Sequence, residues 1–276
     1  MISLVGKTMP CRRVRQTRKI AEGLCKDRRD LSFTRSLSSS SPQPVVELRE
    51  DFLFPKDSKS YFGHFEDAQH EKTATDPSRL CFVSRSDLGG PLHAATHAYY
   101  FSGGLAELQE QRANEEHNIN MDGLQAYIQS QQSSVYVEAP LVKEQSNFIV
   151  GLDNTTVGPS EKNSILEIRK YNLKLGYDTV PKFLDLYGAG LPSKIQAEGN
   201  DPTTSLVTLL YSEVGRLNEV IEIWSHGDGV PAMERSRVAA RKAQEWRTAI
   251  ASIADLAIEF RSTIHRPILA PLPASK

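Results

Sequence analysis

Two short stretches constrain the fold more than anything else in the chain: VVELRE at 45–50 and ILEIRK at 165–170, 120 residues apart. Each sets a Glu and an Arg two positions apart inside an apolar, strand-like run. Successive side chains of a strand point to opposite faces. Leu166 and Ile168 therefore share one face, and Glu167, Arg169 and Tyr171 the other. Val46 and Leu48 stand in the same relation to Glu47 and Arg49. A second match supports the first. GGPLHAATHAYYF (89–101) overlays VGRLNEVIEIWSH (214–226) at an offset of 125, which pairs Gly90 with Gly215, His93 with Asn218, His97 with Glu222 and Tyr99 with Trp224. Arg112 falls on Arg237 at the same offset.

The segments between these markers repeat in kind. In the first half, the pattern predicts a strand at 45–54 stopped by Pro55 and a helix over 57–75 with Tyr61, Phe62, Phe65 and Ala68 on one face. Strands follow at 79–86 and 92–101, then a helix over 104–131 and a strand at 134–142. Residues 143–163, with Gly, Asn, Ser and Pro, read as a linker. The second half predicts a strand at 164–173 and a helix capped by Asp178 that carries Phe183, Leu184, Tyr187 and Leu191. Two strands joined at Val214–Arg216, a helix over 231–255, the strand AIEFRSTIHRPI and a Pro-punctuated tail complete it.

Two βαββαβ units give an α+β fold of two tandem ferredoxin-like units. One such unit leaves a sheet face bare, so the two are expected to pack sheet to sheet as an intramolecular α+β barrel. The expected domains are 44–142 and 164–276, the latter ending in the Pro-rich tail. In this arrangement the apolar strand residues would lie under the helices, and Glu47, Arg49, Glu167, Arg169 and Tyr171 would face the other lobe. His93, His97 and Tyr99 in the first unit, and Asn218, Glu222 and Trp224 in the second, are the further residues expected to face the lumen.

Charge separates the N-terminus from the rest. Residues 1–43 hold ten Lys and Arg against three acids, which leaves 23 basic and 31 acidic residues beyond them. A body this acidic is a poor partner for nucleic acid. The basic segment has no acid before Glu22 and ends in SFTRSLSSSSPQP, the makeup of a mitochondrial transit peptide; the plainer reading is a basic tail that stays attached. No apolar run approaches the roughly 18 residues that span a bilayer. Cys81 is the one cysteine beyond that segment, so it cannot staple the body, and no metal-type spacing occurs.

Other constellations are weaker. EEH at 115–117 and DAQHE at 67–71 read as exposed helical positions, and Gly188-Ala189-Gly190 lacks the Lys-Ser/Thr of a phosphate loop. Arg235, Arg237, Arg241 and Lys242 read as a solvated face, or more sharply as a dock for an acidic partner or anionic lipid.

The run ILEIRKYNLKLGYDTVPKFLDLYGAGLP, followed by SEVGRLNEVIEIWSHGD, an Arg-rich helix reaching Glu245-Trp246 and a RPILAPLP end, resembles the NIPSNAP domain. The resemblance covers 163–273, with 45–142 similar to a second, diverged copy. It implies a dimeric α+β barrel and a mitochondrial protein, matrix-facing and without a settled catalytic activity, connected with vesicular transport or quality control. It implies a scaffold or adaptor for mitochondrial proteins, with no cofactor; homo-oligomerisation and peripheral membrane contact stay open. The family often has a His where this chain has Glu222, while the first copy keeps His97. Phe148 is followed three residues later by Gly151, which breaks the aromatic-x-x-aliphatic adaptor peptide, so the mitophagy role is not carried over. Small oxygenases and haem-degrading enzymes share this fold. The alternative is therefore an oxygenase-like or haem-binding protein with a lumen site at His97, against which stands a purely structural polar network.

Overall fold

The computed structural model describes residues 41–68, 79–117 and 123–273. The first half runs β1 (Val45–Leu53), α1 (Ser58–Ala68), β2 (Arg79–Leu88), β3 (Ala94–Phe101), α2 (Gly104–His117) and β4 (Ile128–Glu138). A connection with α3 (Pro140–Glu144) and β5 (Thr155–Pro159) leads to the second half: β6 (Ile165–Leu173), α4 (Thr179–Ile195), β7 (Thr204–Val214), β8 (Glu219–His226), α5 (Gly229–Lys242), α6 (Gln244–Ala254) and β9 (Ala257–Pro273).

The strands are ordered β2-β3-β1-β4-β7-β8-β6-β9, and β2 also pairs with β9, so eight strands close into one antiparallel barrel. Each half contributes the same local order, and the halves meet edge to edge at β4–β7 and β2–β9. Closure leaves none of the eight with an unpaired edge. The two predicted ferredoxin-like units are both present.

The duplication is visible in the backbone. Glu47 pairs with Tyr99 and Arg49 with His97 on β1–β3, as Glu167 pairs with Trp224 and Arg169 with Glu222 on β6–β8. Register slips recur at Leu80/Phe82 and at Leu206/Thr208. Gly104 and Gly229, which open α2 and α5, both have positive φ, and a Cβ on either would sit 2.5 Å from a carbonyl, that of Gln43 or Asn163. Only glycine meets both conditions without strain.

The two faces of β1 and β6 are the reverse of the expectation. The lumen is filled by Val46, Leu48, Phe82, Ala98, Leu166, Ile168, Val207, Leu210, Ile221 and Ile223, together with Tyr136. An eight-stranded barrel is just wide enough for its side chains to fill, so the apolar face turns inward. Glu47, Arg49, Glu167 and Arg169 lie on the outer face, beneath the helices. Cys81 is in the lumen too, where burial pushes its thiol up to about 12, out of reach of ordinary thiol chemistry.

Other expectations also change. Of the helix predicted over 104–131, Gly104–His117 is helical and 128–131 belongs to strand Ile128–Glu138, because β1 and β7 supply the pairing that this polar run does not announce. Predicted strand 134–142 ends at Glu138, where Pro140 opens a short helix. The presumed linker 143–163 is packed structure. Leu152 is fully buried against the barrel core, its amide donates to Glu138 Oε1 at 2.7 Å, and β5 pairs along β9. That pairing also makes strand of residues expected as a tail. Predicted helix 231–255 breaks at Ala243, whose backbone is extended. The second part of predicted helix 57–75 and the side chains of 67–71 and 115–117 lie outside the described residues.

One charge pair does cross the lumen. Lys170 Nζ is 3.1 Å from Glu50 Oε1, and these residues close the two repeats at the same position. A partnership of like halves would set Glu against Glu or Lys against Lys. Both side chains are about a third exposed, so the pair is worth about 0.5–1 kcal/mol. Lys170→Glu should lower the denaturant midpoint by that order, and the swap Glu50→Lys with Lys170→Glu should restore it, as chemical denaturation would show.

Candidate functional site

Each half builds a polar cluster between its sheet and its helices. In the first, Glu47 is fully buried and accepts from Arg112 Nη2, from Ser133 Oγ at 2.6 Å and from Arg49 Nη2 at 3.4 Å. In the second, Glu167 accepts from Arg237 Nη2, from Ser262 Oγ at 2.8 Å and from Arg169 Nε at 2.8 Å and Nη2 at 3.0 Å. The predicted equivalence of Arg112 and Arg237 thus has a physical content: each reaches down from a helix to the Glu of the first strand. Burial works against ionising Glu167, but His226, Arg169 and Arg237 hold its carboxyl well below the usual range.

Beside this conserved pairing the halves diverge. Tyr61 of α1 donates to Asp51 Oδ2 at 2.5 Å and lies 2.7 Å from His97 Nε2, while Gln131 Nε2 donates to Asp51 Oδ1 at 2.5 Å. Burial opposes the charge on Asp51, yet His97, Tyr61 and Gln131 together keep its pKa below the ordinary value. In the second half the carboxylate has moved to the third strand. Glu222 accepts from Tyr187, from Tyr171 Oη at 2.7 Å, from Trp224 Nε1 at 2.9 Å and from Arg169 Nη1 at 3.0 Å. A tyrosine of the first helix donates to the buried acid in both halves.

His97, Tyr99, Glu222 and Trp224 therefore face the helices and not the lumen, in register with Glu47, Arg49, Glu167, Arg169 and Tyr171. Tyr99 stacks on His97 at 6.1 Å and carries the Arg49 guanidinium at 5.1 Å. His93 and Asn218 do not join the site. They sit in the turns before β3 and β8, where their carbonyls accept from Leu53 N and Leu173 N, each at 2.8 Å. Among the described residues, no group of three or more His, Cys, Asp or Glu is placed to hold a metal ion. No helix among them is long and apolar enough to cross a membrane.

The second half adds a cavity of about 1030 Å³ between β6, β8, β9 and helices α5 and α6, with α4 at its inner wall. Phe183, Tyr187 and Leu191 form the buried stripe of α4. Lys194 follows Leu191 by three positions, on the same face, and is only 6% exposed. Its Nζ lies 3.5 Å from the centroid of the Trp224 ring and 4.5 Å from that of Trp246. It makes no hydrogen bond. Gly190 permits this packing: a Cβ there would stand 2.7 Å from Ala249 Cβ of α6. Arg237 turns inward to Glu167, Arg235 binds Asp201 at 2.7 Å, and Arg241 stays exposed at the rim, so the basic cluster of α5 is only partly a solvated face.

Lys194 was not singled out from the sequence, where it is one lysine after a helical proline; its three-residue spacing from Leu191 is the only available signal. Burial, reinforced by the Arg169 charge, lowers its amine to about 7, against the pull of Glu222 and Glu167. The folded pKa lies below the unfolded one, so the penalty for burying the ammonium is full below pH 7 and is released as pH rises toward the unfolded value. Lys194→Met should stabilise the fold by about 1–4 kcal/mol at pH 6. The gain should shrink by pH 9, as urea denaturation at the two pH values would read.

Known proteins place this architecture. A protein from Lactobacillus acidophilus NCFM, provisionally named a monooxygenase, superposes with a TM-score of 0.56 at 10% identity, over 84% of this chain and 98% of its own. Another so named, from Fusobacterium nucleatum, gives 0.58 at 9% identity, over 86% and 98%. At these identities the likeness is one of fold. A NIPSNAP family protein of unknown function from Agrobacterium tumefaciens is 22% identical over 43% of this chain and 96% of its own, with a TM-score of 0.33. No curated protein sequence matches the chain. The NIPSNAP family model matches residues 166–276, which begin at the second residue of β6 and include β9, so the match falls on the half of the chain that holds the cavity.

Proposed function

We propose that the chain is a non-catalytic mitochondrial protein of the NIPSNAP type, a binding scaffold or adaptor with two structurally equivalent halves, of which the first is a diverged copy of the second. The observation that carries this reading is the saturation of the buried acids. Glu167 and Glu222 each accept from at least four donor groups, and Glu47 from three. Glu167 and Glu222 held this way have their acceptor sites filled, and Glu47 has at most one to spare, so all three are poor general bases. The filled lumen supports the same reading, since it leaves no room for the site on which an oxygenase-like role was expected to depend. His97 is 1% exposed and hydrogen-bonded to Tyr61, which disfavours it as a haem ligand.

The mitochondrial address rests on the basic, acid-poor composition of residues 1–43. The partners of such a scaffold would be other mitochondrial proteins, and its connection would be to vesicular transport or quality control, as in the family.

Two measurements test the reading. Titration of the purified protein with haem should give no Soret shift; saturable one-to-one binding abolished by His97→Ala would overturn the non-enzymatic assignment. A fusion of residues 1–43 to a fluorescent protein should enter mitochondria, and a cytosolic distribution would remove the address.

A further inference from the structure

The second-half cavity has more positive charge than its structure consumes. Arg169, Lys194, Arg237, Arg241 and Arg247 line it against Glu167 and Glu259, with Glu222 behind the wall. Arg169 and Arg237 are committed to Glu167 and Glu222. Lys194 is not committed to any acid: it is more than nine-tenths buried, lines the cavity, and has only two indole faces for company. A buried ammonium without a counter-ion is costly, and a ligand carboxylate would offset that cost. Around this point the walls are apolar, formed by Met233, Trp246, Ile250 and Ile253. At the rim Ile258 is 70% exposed and Phe260 54% exposed, the latter stacked on Tyr171 at 4.7 Å. Large exposed apolar side chains beside Arg241 and Arg247 suit a molecule that is apolar along its body and anionic at its head. About 1030 Å³ accommodates one small organic ligand.

From these features we infer that the cavity between the sheet and helices α5 and α6 is a binding site for an amphipathic monocarboxylate, whose carboxylate pairs with Lys194 and whose hydrocarbon body lies along Trp246, Ile250 and Ile253. This goes beyond the scaffold reading and does not depend on it, since a scaffold without a ligand and a ligand-binding protein with no partner are both self-consistent.

Binding should depend on pH in a defined direction. The groups facing Lys194 are Arg169 and Arg237, which repel its charge, Glu222 and Glu167, which favour it, and His226, whose pKa burial lowers. Glu167 and Glu222 are held below the ordinary carboxylate range, so they stay ionised while the amine loses its proton. Carboxylate binding needs the ammonium, and affinity should therefore fall as pH rises above about 7.

The chain has two tryptophans, Trp224 and Trp246, and both flank Lys194, so tryptophan emission, excited selectively over tyrosine, reports on this site. The full-length protein would be titrated with octanoate and, separately, with octanol, at pH 6 and pH 9. The expected result is a saturable fluorescence change with octanoate at pH 6, an affinity about tenfold weaker at pH 9, and no comparable response to octanol. Lys194→Met, which retains the apolar volume, should weaken octanoate by at least tenfold. The inference is overturned if octanol binds as tightly as octanoate, if the octanoate affinity is the same at both pH values, or if octanoate leaves the fluorescence unchanged. The pH comparison uses the unaltered protein and so stands even if Lys194→Met fails to fold. A haem response in the previous test would remove the non-enzymatic reading and leave this one intact.

Discussion

An eight-stranded barrel has an interior only as wide as its own side chains, and the rest of this structure follows from how that interior is filled. Val46, Leu48, Leu166 and Ile168 turn inward from the first strand of each half and meet across the lumen. Because alternation has a period of two, their neighbours must then point outward, and the outward face is covered by helices. Glu47, Arg49, Glu167 and Arg169 are therefore buried a second time, under a layer that has to bring its own donors. Arg112, Arg237 and Tyr187 are those donors, and Ser133 and Ser262 add hydroxyls from the last strand of each half.

The halves have kept this scheme and changed its contents. An acid on the first strand is held by an Arg two residues on and by an Arg from a helix in both. Beside it, Asp51 and His97 in one half stand where Tyr171 and Glu222 stand in the other, with the carboxylate moved from one strand to the next. Buried carboxylates tolerate such a move only if the donors move with them, and Tyr61 and Tyr187 both supply one. The first half ends with a closed hydrogen-bonded set. The second is left with an amine between two indoles and open volume beside it, and the asymmetry between the two is the strongest functional feature of the molecule.

Much of the fold was legible in the sequence. The offsets of 120 and 125 match the equivalence of register between β1–β3 and β6–β8, and the equivalence of Arg112 and Arg237 is legible at the same offset. The first part of strand Ile128–Glu138 was not legible, because Ser130 to Ser134 carry no apolar alternation and take their conformation from β1. Nor was the strand made of Leu269 to Pro273, whose prolines argue for a tail until β5 is seen beside them. Of the site residues, the charged strand positions were found and Lys194 was not. Its chemistry comes from burial between Trp224 and Trp246, and these are separated from it by 30 and 52 positions.

The sequence alone determined that the chain is a duplicated βαββαβ unit and that each first strand has one apolar and one charged face, because periodicity and internal similarity are properties of the chain itself. It could not determine which face turns inward. That choice belongs to the closed barrel, where the lumen admits only tightly packed side chains and the helices can supply partners for charge. The same holds for Lys194: a lysine becomes an unpaired, half-neutral amine only when tertiary packing takes water away from it and puts nothing polar in its place.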